Sequence, residues 1–145
     1  MADLRRLSDR VSVAPQLTEA DIDALAAAGV RAVINNRPDG EAPDQPAGAA
    51  IEAAATRHGM VYRHLPVRGG AVDPVTVKAF AEVVDGADGP VVAFCRSGTR
   101  STMVWALSQA GRQPADAIVA AAAAAGYDMN ALRPYLEGMD PGARG

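Results

Sequence analysis

Apolar and polar positions along the chain mark out strands and helices in alternation. Val11-Ser12-Val13-Ala14 reads as a short strand ending at Pro15. Thr18 then stands as a helix N-cap with Asp21 three residues on, in a capping-box-like position. Ile22, Leu25 and Ala26 recur at helical spacing until Gly29 stops the helix. Arg31 to Asn35 is a second strand, closed by the turn signal Arg37-Pro38-Asp39-Gly40, and the proline-containing stretch Glu41 to Pro46 is a loop. A helix over Ala49 to His58 ends at Gly59, a third strand runs from Met60 to Val67 with Pro66 marking its end, and Arg68-Gly69-Gly70 is a loop. Asp73 before Pro74 is an N-cap followed by proline at the first helical position, opening a helix through Val77, Phe80, Ala81 and Val84. Val91-Val92-Ala93-Phe94 is continuously apolar, as a central parallel strand covered on both faces must be. Thr99 to Ala110, Ala115 to Ala125 and Met129 to Glu137 complete a helical C-terminus broken at Gly111 and Gly126, with Trp105 and Met103 as core positions. Strands alternating with helices predict an α/β, three-layer architecture: roughly four parallel strands flanked by helices.

Composition narrows the picture. With 145 residues and no linker or internal repeat, the chain predicts one domain over residues 1–145, with a frayed tail from about residue 139. Lys+Arg is 14 against Asp+Glu 17, so no net basic face is available for sequence-independent nucleic-acid binding. All the basic residues but Lys78 are arginines, and with the abundant alanine this reads as coding bias. The longest uncharged apolar run, Ala117 to Ala125, is far short of the ~20 residues that cross a bilayer. Met-Ala-Asp-Leu-Arg-Arg lacks the apolar core of a signal peptide, which predicts a cytoplasmic protein without membrane contact. The one cysteine, Cys95, excludes an intramolecular disulfide and a multi-thiolate zinc site, and two histidines, His58 and His64, do not suggest a His-rich metal site. No metal or organic cofactor is expected.

The chemistry concentrates in Phe94-Cys95-Arg96-Ser97-Gly98-Thr99-Arg100-Ser101, between the buried strand and the following helix. Ligands of open α/β sheets bind at the carboxyl ends of strands. There the helix N-terminus and the guanidiniums of Arg96 and Arg100 favour thiolate over thiol, which makes Cys95 the candidate nucleophile. Gly98 permits positive φ, so that successive N–H groups can turn inward as an anion-binding nest. Cys95 and Arg100 are the candidate catalytic residues; Arg96, Ser97, Gly98, Thr99 and Ser101 are the candidate anion-binding loop.

This loop resembles the active-site loop of rhodanese sulfurtransferases, in which the cysteine carries a persulfide. The segments Ala14-Pro15-Gln16-Leu17-Thr18 and Ile34-Asn35-Asn36-Arg37-Pro38-Asp39-Gly40-Glu41 instead resemble the dual-specificity phosphatase fold. Together with Gly126-Tyr127-Asp128 and Leu132-Arg133-Pro134, they make nearly the whole chain similar to a bacterial family of small phosphatase-like proteins. Its members are called beta-lactamase-hydrolase-like phosphatases or sulfurtransferases, some of them fused to persulfide-handling enzymes. The resemblance therefore implies a dual-specificity phosphatase-like fold and a small anionic sulfur or phosphate substrate, and it allows for a persulfide-handling partner enzyme.

Two features bear on the reaction. Protein tyrosine phosphatases place the arginine six positions after the cysteine, whereas Arg100 follows Cys95 by five, a narrower ring that suits one extra sulfur better than a phosphoryl group. Such phosphatases also carry an aspartic acid that protonates the leaving oxygen. The corresponding stretch, His64 to Gly70, has no carboxylate, and the nearest, Asp73, reads as a helix cap. Both features favour a sulfurtransferase that moves a sulfane sulfur from thiosulfate or a persulfide, through a Cys95 persulfide, to a thiol or cyanide. The alternatives are a cysteine-dependent phosphatase acting through a cysteinyl-phosphate and a non-catalytic anion- or persulfide-binding module. Asn36 and Arg37 are possible pocket contacts or an ordinary turn. Asp39-Gly40 reads as a turn rather than a catalytic carboxylate, and His64 as a core or edge histidine. Ser101 is placed either to hydrogen-bond the thiolate, as the phosphatase resemblance implies, or to cap the first helical turn.

Overall fold

The computed structural model describes residues 2–140. Its strands are β1 (Arg5–Arg6), β2 (Val11–Ala14), β3 (Ala32–Asn35), β4 (Val61–His64) and β5 (Val91–Phe94), joined in the order β1-β2-β5-β3-β4. The four longer strands are mutually parallel, as the sequence predicts, but β1 pairs antiparallel with β2 and makes the sheet mixed.

The parallel strands alternate between two cores. Val11, Val13, Ala32, Ile34, Val91 and Ala93 face one side, where they meet α3 (Pro74–Gly86), α4 (Thr99–Gln109), α5 (Ala115–Ala124) and α6 (Arg133–Gly138). Ala14, Val33, Val92 and Phe94 face the other, against α1 (Glu19–Ala27) and α2 (Gly48–Arg57). The β5 side chains are almost fully buried, and each large apolar one removed from water stabilises the fold by about 1.5–3 kcal/mol. Trp105 and Phe80 lie in the α3–α6 core with Met103 packed against it. Thr18 and Asp21 form the anticipated reciprocal capping box at α1.

Several boundaries differ from expectation. β4 ends at His64 rather than Val67, because the regular two-residue step of the parallel ladder, kept through Leu65, is broken at Val67, which meets Asn36 one residue out of register. The chain nevertheless stays alongside β3, with Leu65 N–H donating to Asn35 and Val67 N–H to the Asn36 carbonyl. The expected helix at 129–137 divides into a single 3₁₀ turn, Asn130–Leu132, and α6, with Pro134 in the first turn of the latter. Asp140, placed in the frayed tail, instead accepts a hydrogen bond from Ala115 N–H at 2.6 Å and so ties down the start of α5; the rest of that tail, 141–145, lies outside the described residues. Among the described residues no helix is long and apolar enough to cross a membrane.

Strand order fixes where a ligand can sit. β2 and β3 lie on opposite sides of β5, and the chain leaves the carboxyl end of β5 between them. This is a topological switch point of an open sheet, and Cys95 is the first residue beyond it.

Candidate active site

Cys95 is buried at the tip of β5, its N–H donating to the Ala14 carbonyl at 3.4 Å. The chain then turns through the exposed residues Arg96 and Ser97 to Gly98, whose φ of 93° is left-handed, and α4 begins at Thr99. Only glycine suits this position: a β-carbon would be strained in that backbone and would run into the Tyr127 hydroxyl. The turn brings the Gly98 N–H to 3.1 Å from Cys95 Sγ. Gly98 has no side chain with which to cap α4, and only a 3.4 Å contact from Thr99 N–H to Ser97 Oγ serves that end. The α4 N-terminus is therefore turned, largely uncapped, toward the loop that holds the sulfur, an arrangement that favours an anion.

Arg100, the second residue of α4, is held from outside. Its Nη1 and Nη2 donate to the two carboxylate oxygens of Glu41 at 2.8 and 2.9 Å, and Nη1 also donates to the Val67 carbonyl at 2.8 Å. Glu41 in turn accepts from Nε of Arg37 at 3.0 Å, and Arg37 reaches back to Gln16 Oε1. Two guanidiniums thus share one carboxylate. The Glu41 carboxyl is held down to about 2, chiefly by the Arg100 hydrogen bond; burial works against this and Arg37 adds to it. The Arg100 guanidinium is pushed further up, first by the Glu41 hydrogen bond and, once burial is offset, by the Cys95 sulfur beside it. Glu41 is therefore an anion at neutral pH, with no proton to give to a leaving group. Glu41, Gly69, Arg96 and Arg100 line a cavity of about 410 Å³ at the mouth of the loop.

Other sequence candidates find different places. Asn36 and Arg37 do not face the cavity as anion contacts. Asn36 is fully buried, donating from Nδ2 to the Leu65 carbonyl and accepting at Oδ1 from Ser101 Oγ, each at 2.8 Å. It therefore ties β3 to the β4 extension and to α4. Arg37 is 3% exposed, behind Glu41. Ser101 spends its hydroxyl proton on Asn36 rather than on the thiolate or a helix cap. His64 is an edge residue whose Nε2 meets the Arg37 carbonyl at 2.9 Å. Asp39 accepts from Gly48 N–H at the start of α2, in keeping with a structural turn.

Asp73 caps α3, its Oδ1 accepting from Val75 N–H at 2.8 Å. Asp73→Asn should leave turnover and its pH profile unchanged, whereas Asp73→Ala should cost about 1 kcal/mol of stability through loss of the cap. A collapse of turnover in Asp73→Asn with the fold intact would make it an acid catalyst instead.

Glu41 and Tyr127 both hold this site in place, and neither has a chemical role that is legible from the sequence alone. Glu41 falls in a proline-rich loop 59 positions from Arg100, and local spacing carries no signal of that pairing. Tyr127, beyond α5, donates its hydroxyl to the Ser97 carbonyl at 2.9 Å.

The family model described as the phosphatase-like domain of beta-lactamase hydrolase-like protein matches residues 3–112. A beta-lactamase hydrolase-like protein of Xylella fastidiosa is 35% identical over 133 residues, which are 90% of this chain and 31% of that protein, so this chain spans only a minor part of the relative. The crystal structure of a candidate phosphatase from Neisseria meningitidis superposes with a TM-score of 0.80 at 33% identity, covering 93% of this chain and 96% of the other. TpbA of P. aeruginosa, solved in complex with pTyr, superposes with a TM-score of 0.67 over 98% of this chain and 88% of its own; at 20% identity that likeness is one of fold alone. A buried cysteine at the switch point, a left-handed glycine behind it and an arginine on the next helix thus sit in a phosphatase-like α/β fold, and the chain belongs to the family of phosphatase-like domains found in beta-lactamase hydrolase-like proteins.

Proposed function

We propose that the protein is a cysteine-dependent phosphatase that hydrolyses small phosphomonoesters or phosphoproteins through a cysteinyl-phosphate on Cys95. The observation that carries this reading is the placement of Arg100. Its Nη1/Nη2 end is occupied by Glu41 and Val67, which leaves the Nε side of the guanidinium without a hydrogen-bonded oxygen among the described residues. A guanidinium edge beside a sulfur and a helix N-terminus is the donor set that a tetrahedral oxyanion requires. The 33% identity to the Neisseria protein, over nearly both chains, adds support. Loop length favoured sulfur transfer; fold and relatives shift the weight to phosphate ester chemistry.

In the first step the Cys95 thiolate attacks phosphorus, an S–P bond forms, and the ester P–O bond breaks with its electron pair on the leaving oxygen. Water then attacks phosphorus, the S–P bond breaks, and inorganic phosphate leaves with the thiolate restored. The N–H of Gly98 stabilises the sulfur, and Arg100 with the first turn of α4 stabilises the charge on the phosphoryl oxygens. With Glu41 ionised and Asp73 engaged as a cap, no carboxylic acid among these candidates protonates the leaving group. Esters whose leaving oxygen is a stable anion should therefore react far faster than alkyl esters.

One observation keeps sulfur transfer as the second reading: the five-position spacing from Cys95 to Arg100, which narrows the cradle. The test is a paired assay. Aryl phosphate should release phosphate and leave a trappable phosphocysteine, with alkyl phosphates slower. Thiocyanate formed from thiosulfate and cyanide, with one sulfur mass added at Cys95 and no phosphate release, would replace the phosphatase reading with sulfur transfer. Turnover of neither substrate would leave an anion-binding module.

A further inference from the structure

We propose that Tyr127 is a positioning residue that aims the Gly98 N–H at the Cys95 sulfur by holding the opposite end of the same peptide unit. This rests on Cys95 as the reacting group, but on neither choice of substrate. The Ser97–Gly98 peptide carries both groups concerned: its carbonyl, on Ser97, accepts the Tyr127 hydroxyl at 2.9 Å, and its N–H, on Gly98, donates to Cys95 Sγ at 3.1 Å. In a trans peptide these two groups point in opposite directions. A donor that fixes the carbonyl outward therefore fixes the N–H inward, onto the sulfur.

The need for such a lock follows from the backbone. Glycine at position 98 has φ 93° and access to regions on both sides of the map, so the peptide before it is free to rotate unless something holds it. With the N–H turned away, the sulfur loses a donor that favours its anionic form. Tyr127 fits closely enough that even a methyl group on Gly98 would collide with its hydroxyl.

Tyr127 is itself fixed from behind. The Arg5 guanidinium lies 5.7 Å from its ring centroid and donates to the Ala125 carbonyl at 3.0 Å, so β1 braces the turn that presents the tyrosine. Burial pushes the phenol above its ordinary value, Arg5 opposes this, and the Cys95 charge adds to it. The hydroxyl accordingly keeps its proton at neutral pH and stays a donor.

The test measures Cys95 alkylation by iodoacetamide across pH, alongside turnover of aryl phosphate. Tyr127→Phe keeps the ring and removes the donor. Alkylation near pH 6 should slow by about threefold to tenfold, the worth of one hydrogen bond to the sulfur. The value of kcat should fall by a similar factor with KM little changed. p-Aminophenylalanine at position 127, which donates from the same place, should restore both; p-fluorophenylalanine, of similar size but no donor, should not. This pair carries the test if Tyr127→Phe fails to fold. A native alkylation profile in Tyr127→Phe, or equal profiles for the two unnatural residues, would overturn the proposal. Absence of aryl phosphate turnover in the wild type would instead defeat the phosphatase reading and leave the alkylation comparison standing.

Discussion

Cys95→Ser should abolish turnover, by on the order of a thousandfold or more, with the fold intact. The residue has no exposed surface, and serine nearly matches its shape, so the strand end, the left-handed glycine and α4 have no reason to move. The chemistry changes completely. Sulfur is the stronger nucleophile and receives the Gly98 N–H at 3.1 Å, whereas a serine hydroxyl is a weak nucleophile without a base to activate it. No histidine stands ready to activate the hydroxyl: His64 is hydrogen-bonded to the Arg37 carbonyl, and His58 pairs with Asp23 through its Nε2 at 2.7 Å. The measurements are phosphate release and circular dichroism on the same preparation. A serine variant that kept wild-type turnover would remove Cys95 from the reaction under every reading of the site. A variant that lost activity together with its thermal transition would call for Cys95→Ala, the apolar substitution for a buried position.

What the sequence reveals follows the range of the forces involved. β5 is legible because four consecutive apolar residues leave no alternative to a doubly covered strand, and α1 and α3 because Thr18 and Asp73 make bonds two or three residues away. The position of Cys95 follows directly from those. β1 is hidden, since two adjacent arginines show no strand pattern. Its pairing is set by a turn in which Leu7 and Ser8 N–H groups donate to the Val11 carbonyl and Ser8 Oγ accepts from the Arg10 and Val11 N–H groups. Ser101 and Asn36 read separately as a site hydroxyl and a turn residue, yet they are one buried hydrogen bond across 65 positions. Glu41 and Tyr127 are hidden for the same reason. Each meets the loop through a contact that exists only after the sheet has assembled.

The second large effect concerns the pair formed by Glu41 and Arg100. Arg100→Ala should lower kcat/KM by on the order of a hundredfold to a thousandfold, as loss of a charged donor to the transition state does in comparable sites. Glu41→Gln should cost less, about tenfold or somewhat more, because it removes no contact to the substrate. An amide still accepts from one Nη, but its own NH₂ group faces the other, and the two-pronged hold that sets the guanidinium's orientation is lost. Arg37 loses the charge it faces as well, in a nearly buried position. The decisive measurement is the double variant. If Glu41 works only by orienting Arg100, then adding Glu41→Gln to Arg100→Ala should cost nothing more, and the two losses will be strongly non-additive. Additive losses would place Glu41 in direct contact with the reaction. A gain in affinity for aryl phosphate in Glu41→Gln would show instead that the carboxylate competes with the substrate for Arg100. The pH dependence has a definite sign. A carboxyl lowered from 4.5 to about 2 in the folded protein contributes its full stabilisation above the unfolded value and loses it as the pH falls toward 2. The wild-type advantage over Glu41→Gln in thermal midpoint should therefore be constant from neutral pH down to about 5, and should shrink steadily below that as protons reach the carboxylate of the unfolded chain first.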